Sequence, residues 1–130
     1  VGQKQDRECT SAESEMAHGQ VALKGFFKIC REWSCSREEM AHILGGISNR
    51  ILAKYETAPH LKLPQEHMER ISYILGIYKA TREMYPTAER ANRRIRLETS
   101  EHPFSGCSAM DFMVKGSMEN LVEARRYFDA

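Results

Sequence analysis

From Gln20 onward, apolar residues recur at three- and four-residue steps, and no stretch alternates with period two for long enough to make a strand. That pattern restricts the chain to an all-α fold. Leu23, Phe26, Phe27, Cys30 and Trp33 give the first apolar stripe. Ser36-Arg37-Glu38-Glu39 reads as a capping box, opening a short helix with Met40, Ile43 and Leu44 inward. Gly45-Gly46 ends it, and Ser48 is a second N-cap before Ile51, Leu52 and Tyr55. Pro59 to Pro64 is a loop, and Pro64 suits the first turn of a helix running to Tyr85, where Pro86 stops it. Met68, Ile71, Leu75 and Tyr78 share one face of that helix, beside Ile74 and Ile77.

Thr87 to Leu97 reads as a basic helix with Ala88, Ala91 and Ile95 inward, and Glu98 to Gly106 as a loop. Ser108 starts a short helix ending near Gly116. Ser117 caps the last helix, with Met118, Leu121, Val122 and Phe128 inward. The expected organisation is a flexible segment over residues 1–19, a helix-turn-helix domain over 20–80 and a small helical domain over 81–130.

At 130 residues the chain is too short for a barrel enzyme, which needs roughly 250. Its 19 basic and 18 acidic residues leave a net charge of +1, with acidic ends flanking a basic middle. No apolar run approaches the ~18–20 residues that span a bilayer, and Val1 to Gln20 lacks the apolar core of a signal peptide. The four Cys, at positions 9, 30, 35 and 107, form no Cys-x-x-Cys pair, so they read as reduced thiols of a cytoplasmic protein. A zinc site from Cys30, Cys35 and His42 matches no standard spacing, and Cys30 reads better as a small core residue. The His residues at 18, 42, 60, 67 and 102 sit apart, and no Gly-rich phosphate loop or His-Glu-x-x-His run occurs. No enzymatic activity, cofactor or metal is expected.

Residues 36–56 are the densest in meaning. Ala41 is small enough for two helices to approach, Gly45 supplies the turn, and Leu52 and Tyr55 hold the second helix on the first. This is the grammar of a helix-turn-helix, with one extra turn residue at Gly46. Ser48, Asn49, Arg50, Ala53 and Lys54 are then the outward positions. Asn bonds the adenine edge and Arg the guanine edge, while Arg37 and Ser48 suit phosphate contacts. Helix pairs joined by glycine are common without DNA, and an Asn-Arg pair is often only solvated. Arg90, Arg93, Arg94 and Arg96 form the sharpest basic cluster, read as a phosphate or acidic-partner patch against the plainer reading of a solvated face.

Over residues 20–130 the order of elements resembles the Xre/MbcA/ParS-type antitoxins of bacterial type II toxin–antitoxin systems. The resemblance rests first on Leu44-Gly45-Gly46-Ile47-Ser48 with Arg50, Leu52 and Tyr55. It continues with Arg70-Ile71-Ser72 and Leu75-Gly76-Ile77-Tyr78-Lys79-Ala80. It closes with Pro103-Phe104-Ser105-Gly106, Ser108-Ala109-Met110, Gly116, Leu121, Val122 and Arg125-Arg126-Tyr127-Phe128. Ser100-Glu101-His102 replaces the usual Pro-Asn, and the Trp often found near Arg94-Ile95 is missing.

The resemblance implies a cognate RES-domain toxin that consumes NAD⁺, its active-site entrance covered by the antitoxin's C-terminal domain. It also implies repression of the antitoxin's own operon through operator DNA. The expected DNA-binding residues are Arg37, Ser48, Asn49, Arg50 and Lys54. Arg125, Arg126, Tyr127 and Phe128 are the expected toxin-binding residues, although Phe128 and Leu121 also suit the protein's own core. A homodimer is expected, since two half-sites one helical turn apart raise affinity. The rivals are a phage-like repressor without a toxin partner and an adaptor whose helix-turn-helix is only structural.

Overall fold

The computed structural model describes the backbone of residues 2–115 and 117–130, and the side chains of 11–115 and 117–130. Among these, the chain forms seven helices and no strand: α1 (Gly2–Glu32), α2 (Arg37–Ile43), α3 (Asn49–Thr57), α4 (Gln65–Met84), α5 (Ala88–Arg96), α6 (Ala109–Met113) and α7 (Met118–Asp129). One isolated antiparallel bridge, Glu98 to Ser108, closes the loop between α5 and α6. Gly116, the expected end of the sixth helix, lies outside the described residues.

Local chemistry sets most boundaries. The Ser36 hydroxyl accepts from the Glu39 amide at 3.1 Å, and the Glu39 carboxylate accepts from the Ser36 amide at 2.9 Å, completing the capping box. Ser48, Thr87, Ser108 and Ser117 cap α3, α5, α6 and α7 in the same sense. Helix α2 ends in a Schellman turn, with the Gly46 amide donating to the Ala41 carbonyl at 2.8 Å and the Gly45 amide to His42 at 2.9 Å. Gly45 and Gly46 take φ of 97° and 82°, where a side chain is strained.

Helix α1 departs from the expected organisation. The segment 1–19, read as flexible, carries helix from Gly2 onward. Its polar sequence is rich in good helix formers such as Glu, Ala and Met, and extending a helix already nucleated by a packed segment costs little. Tertiary contacts begin before Gln20. Glu15 pairs with Lys62 at 3.4 Å, and Gly19 is buried so closely against the Leu61 backbone that an added Cβ would lie 2.0 Å from its carbonyl oxygen.

Helix α4 packs on α1, α5 and α7, and its Ile71, Ile74 and Ile77 are fully buried. The core is one cluster, from Leu23, Phe26, Ile29 and Trp33 of the front half to Phe104, Met110, Leu121 and Phe128 of the rear. The expected boundary at residue 80 therefore falls inside a helix that both halves use. In the rear, Phe104 meets the rings of Phe112, Tyr127 and Phe128 at centroid distances of 5.4, 4.9 and 6.1 Å.

The basic cluster on α5 does not form a patch. Arg94 is buried, with its guanidinium 5.4 to 5.9 Å from the ring centres of Phe104, Tyr127 and Phe128, and donates to the Tyr127 hydroxyl at 2.8 Å. Arg96 turns to the front half. It donates to both Glu39 carboxylate oxygens at 2.7 and 2.9 Å, and to the carbonyls of Trp33 and Ser34. Arg90 and Arg93 are exposed as well, and Arg93 pairs with Glu89 on its own helix. Partners from other helices thus claim half the cluster, and its four arginines do not share one open face.

The Arg96 hydrogen bonds hold the Glu39 carboxyl below the usual carboxylate range. A depressed carboxyl stabilises the fold above its unfolded pKa and loses that contribution as pH falls through the folded value. Glu39→Gln should therefore destabilise the protein at pH 7 by about 1–2 kcal/mol, solvent access to the pair limiting the effect. Denaturant titrations at pH 7 and pH 2 check this. The gap between wild type and variant should close at the lower pH, and a gap of equal size at both would count against the pair.

Candidate nucleic-acid interface

Helix α3 presents two unlike sides. Leu52 and Tyr55 are buried against the core, and Asn49, Arg50, Ala53 and Lys54 are exposed. Asn49 and Arg50 occupy the first turn, immediately after the Ser48 cap, whose hydroxyl accepts from the Ile51 amide at 3.2 Å. Arg50 and Lys54 are four residues apart and so share a face. Among the described residues, none of Asn49, Arg50 and Lys54 is held in an ion pair, which leaves their polar groups turned to solvent at the end of a helix narrow enough for a major groove.

Arg37 is placed differently. Its guanidinium donates to Glu56 at 2.7 Å, in the last turn of α3. That contact lies about 10 Å along the helix axis from Asn49. The structure thus gathers Ser48, Asn49, Arg50 and Lys54, and ties Arg37 to the far end of the same helix.

The turn that aims α3 is braced from α4 by Arg70, a residue outside the helix-turn-helix motif itself. Arg70 is 5% exposed. It donates to Glu66 at 3.0 and 3.2 Å and to the Ile43 carbonyl, a C-terminal acceptor of α2, at 3.4 Å. A Cβ on Gly45 would lie 3.1 Å from its Nε. Gly45 is therefore required twice, for its backbone angle and for the space Arg70 fills. The sequence signal was Glu66 four residues before Arg70, which looks like an ordinary surface pair until the turn is seen above it. Next to this brace, the Tyr55 hydroxyl and His67 Nδ1 share a 2.7 Å hydrogen bond, and burial pushes the His67 pKa down and that of Tyr55 up.

On the rear half, the four expected contact residues diverge around α7. Phe128 is buried in the protein's own core, which removes it from the exposed set: it sits at the helix position that meets Phe104 and Arg94. Tyr127 is half-buried, donates to the Glu101 carboxylate and accepts from Arg94. The bond to Glu101, followed by burial, raises its pKa. Arg125 packs across Gly76, where a Cβ would lie 2.4 Å from its guanidinium carbon, and pairs with Asp129 at 3.3 Å. Arg126 is the exposed member, paired with Glu123 at 3.2 Å. With Tyr73, Val122 and Asp129, the two arginines line a shallow hollow of about 420 Å³ between α4 and α7.

Among the described residues, no group of three or more His, Cys, Asp or Glu is placed to hold a metal. Cys30 and Cys35 meet, but His42 does not join them and is exposed on α2. No helix is long and apolar enough to cross a membrane among the described residues.

Residues 12–76 match the family described as the antitoxin Xre-like helix-turn-helix domain. The match takes in α1 from residue 12 onward and ends at Gly76 in α4, so it begins earlier than the expected start at residue 20. Over 121 residues the chain is 33% identical to the uncharacterized protein y4oB of Sinorhizobium fredii, an alignment that covers 93% of this chain and 92% of that relative. The all-helical fold, the capped α2–turn–α3 unit and this match over its full extent lead to one conclusion: the chain belongs to the family of antitoxins that carry the Xre-like helix-turn-helix domain.

Proposed function

We propose that this antitoxin represses its own operon by laying the start of α3 in the major groove of the operator, and neutralises a cognate RES-type, NAD⁺-consuming toxin by covering its active-site entrance with the exposed side of α7. The observation that carries the first half is the two-sided character of α3, with Leu52 and Tyr55 buried and Asn49, Arg50 and Lys54 outward. Asn49 and Arg50 read base edges, while Lys54, the Ser48 hydroxyl and Arg37 meet phosphates. Engaging a phosphate requires Arg37 to exchange or share its bond with Glu56. A homodimer sets two α3 helices in half-sites about one helical turn apart. The exposed apolar side chains Val21 and Leu75, on neighbouring faces of α1 and α4, supply surface for such self-association.

The second half of the proposal rests on the hollow between α4 and α7. Arg126 offers a cation to an anion-binding cleft, and Arg125 lies beside it across Gly76. The chain acts here by occupying space and needs no cofactor.

Asn49→Ala and Arg50→Ala should each weaken operator binding by about 1–3 kcal/mol, roughly 5- to 150-fold, without weakening toxin binding. Fluorescence anisotropy on a promoter fragment at fixed salt checks this, and unchanged affinity in both variants would remove them from the recognition surface. Arg126→Glu should weaken capture of the toxin at least about tenfold by reversing a charge at a contact, and should leave the melting temperature and operator affinity as they were. Full neutralisation by that variant would place the toxin-facing surface elsewhere.

A further inference from the structure

The end of α1 carries a feature that the helix-turn-helix leaves unused. Helix α1 closes with a Schellman turn: the Cys35 amide donates to the Cys30 carbonyl at 2.8 Å and the Ser34 amide to Arg31 at 3.1 Å, with Ser34 at φ 56°. In such turns, the first and last residues of the longer bond commonly touch through apolar side chains. Here both are cysteines, and their side chains line the same groove as neighbours. The turn therefore presents two reduced thiols side by side at a backbone spacing that suits a disulfide, which needs Cα atoms roughly 4.4–6.8 Å apart.

The pair is also reachable. Both residues line an open groove of about 780 Å³ between α1, α2 and α3, whose wall carries Lys24, Lys28 and Arg31. Cys35 is half-buried and Cys30 is buried behind it. The neighbouring Cys30 thiol and the charge of Arg96 hold the Cys35 thiol below its ordinary value against burial and Glu39; Cys30 is pushed up, by Cys35 and then by burial. A nucleophilic outer thiol backed by a protonated inner one is the arrangement of an attacking and a resolving cysteine.

We propose that Cys30 and Cys35 are a reversible disulfide site, closed by a hydroperoxide-class oxidant, at the joint between α1 and the helix-turn-helix. The Cys35 thiolate attacks one oxygen of hydrogen peroxide. The S–O bond forms, the O–O bond breaks, and the departing hydroxide leaves as water after taking a proton. The Cys30 sulfur then attacks Cys35, the S–S bond forms, the S–O bond breaks, and a second water leaves with the Cys30 proton. Two thiols and one peroxide thus give one disulfide and two waters, and a dithiol reductant reverses the change.

Trypsin makes the test direct, because it cuts between the two cysteines at Arg31. The full chain is treated with hydrogen peroxide, blocked with iodoacetamide and digested. Peptides 29–31 and 32–37 should appear joined and should separate on reduction. In the reduced protein, iodoacetamide should label Cys35 at least about tenfold faster than Cys30. In Cys30→Ser, which lacks the resolving thiol, Cys35 should stop at a sulfenic acid that dimedone traps. A Cys35 driven to the sulfinic acid in wild type without the joined peptide would overturn the proposal. So would a dominant link from either residue to Cys9, to Cys107 or to a second chain.

Discussion

Ile71, Ile74 and Ile77 line a helix that is buried from two directions, and both halves of the molecule close on it. Helix α4 meets α1 on the side of the helix-turn-helix and α7 on the side of the rear hairpin. Its polar residues work the same way. Arg70 braces the α2–α3 turn, and Gly76 lets Arg125 of α7 lie flat across the helix. A short chain gains from this economy, because a small domain buries too little surface to support two separate cores. The consequence is that the two surfaces proposed for DNA and toxin sit on one frame and share one helix.

Arginine carries much of that frame. Arg94 fills the space between three aromatic rings, Arg96 ties α5 to the junction of α1 and α2, and Arg70 satisfies a carbonyl at the end of α2. Each guanidinium joins elements far apart in sequence. Arg70 and Arg96 do this through several donors at once, which lysine's single ammonium does poorly, and Arg94 does it through one hydrogen bond and its contact with the rings. The aromatic residues near the C-terminus make the same point. Phe128 belongs to the packing, and Tyr127 is fixed by Arg94 and Glu101, so the surface proposed to meet a toxin is rigid where it begins.

What the sequence made legible was mostly local. Serine caps act within three residues, so Ser36, Ser48, Ser108 and Ser117 mark helix starts without reference to the fold. Gly45-Gly46 identifies the turn by its backbone demand, and the period of Leu52 and Tyr55 identifies the inner face of α3. The destinations of long polar side chains were not legible. Arg94 and Arg96 stand two apart in one basic run, yet one enters an aromatic pocket and the other crosses to Glu39, because the partners come from residues 33 to 127. The early course of α1 was hidden for a related reason: residues 11–18 are polar, and their helix is set by the packed apolar stripe that begins at Ala22.

The central claim is that one α4-centred frame holds two outward surfaces, one for DNA at the start of α3 and one for a protein on α7. Amide hydrogen exchange on the full chain, free, with its promoter fragment and with the product of the neighbouring gene, tests it most directly. The account requires DNA to slow exchange around residues 48–54 and the protein partner to slow it around 122–130, with α4 strongly protected in every state. Slowing by DNA confined to α7, or slowing at neither surface by either ligand, would contradict it.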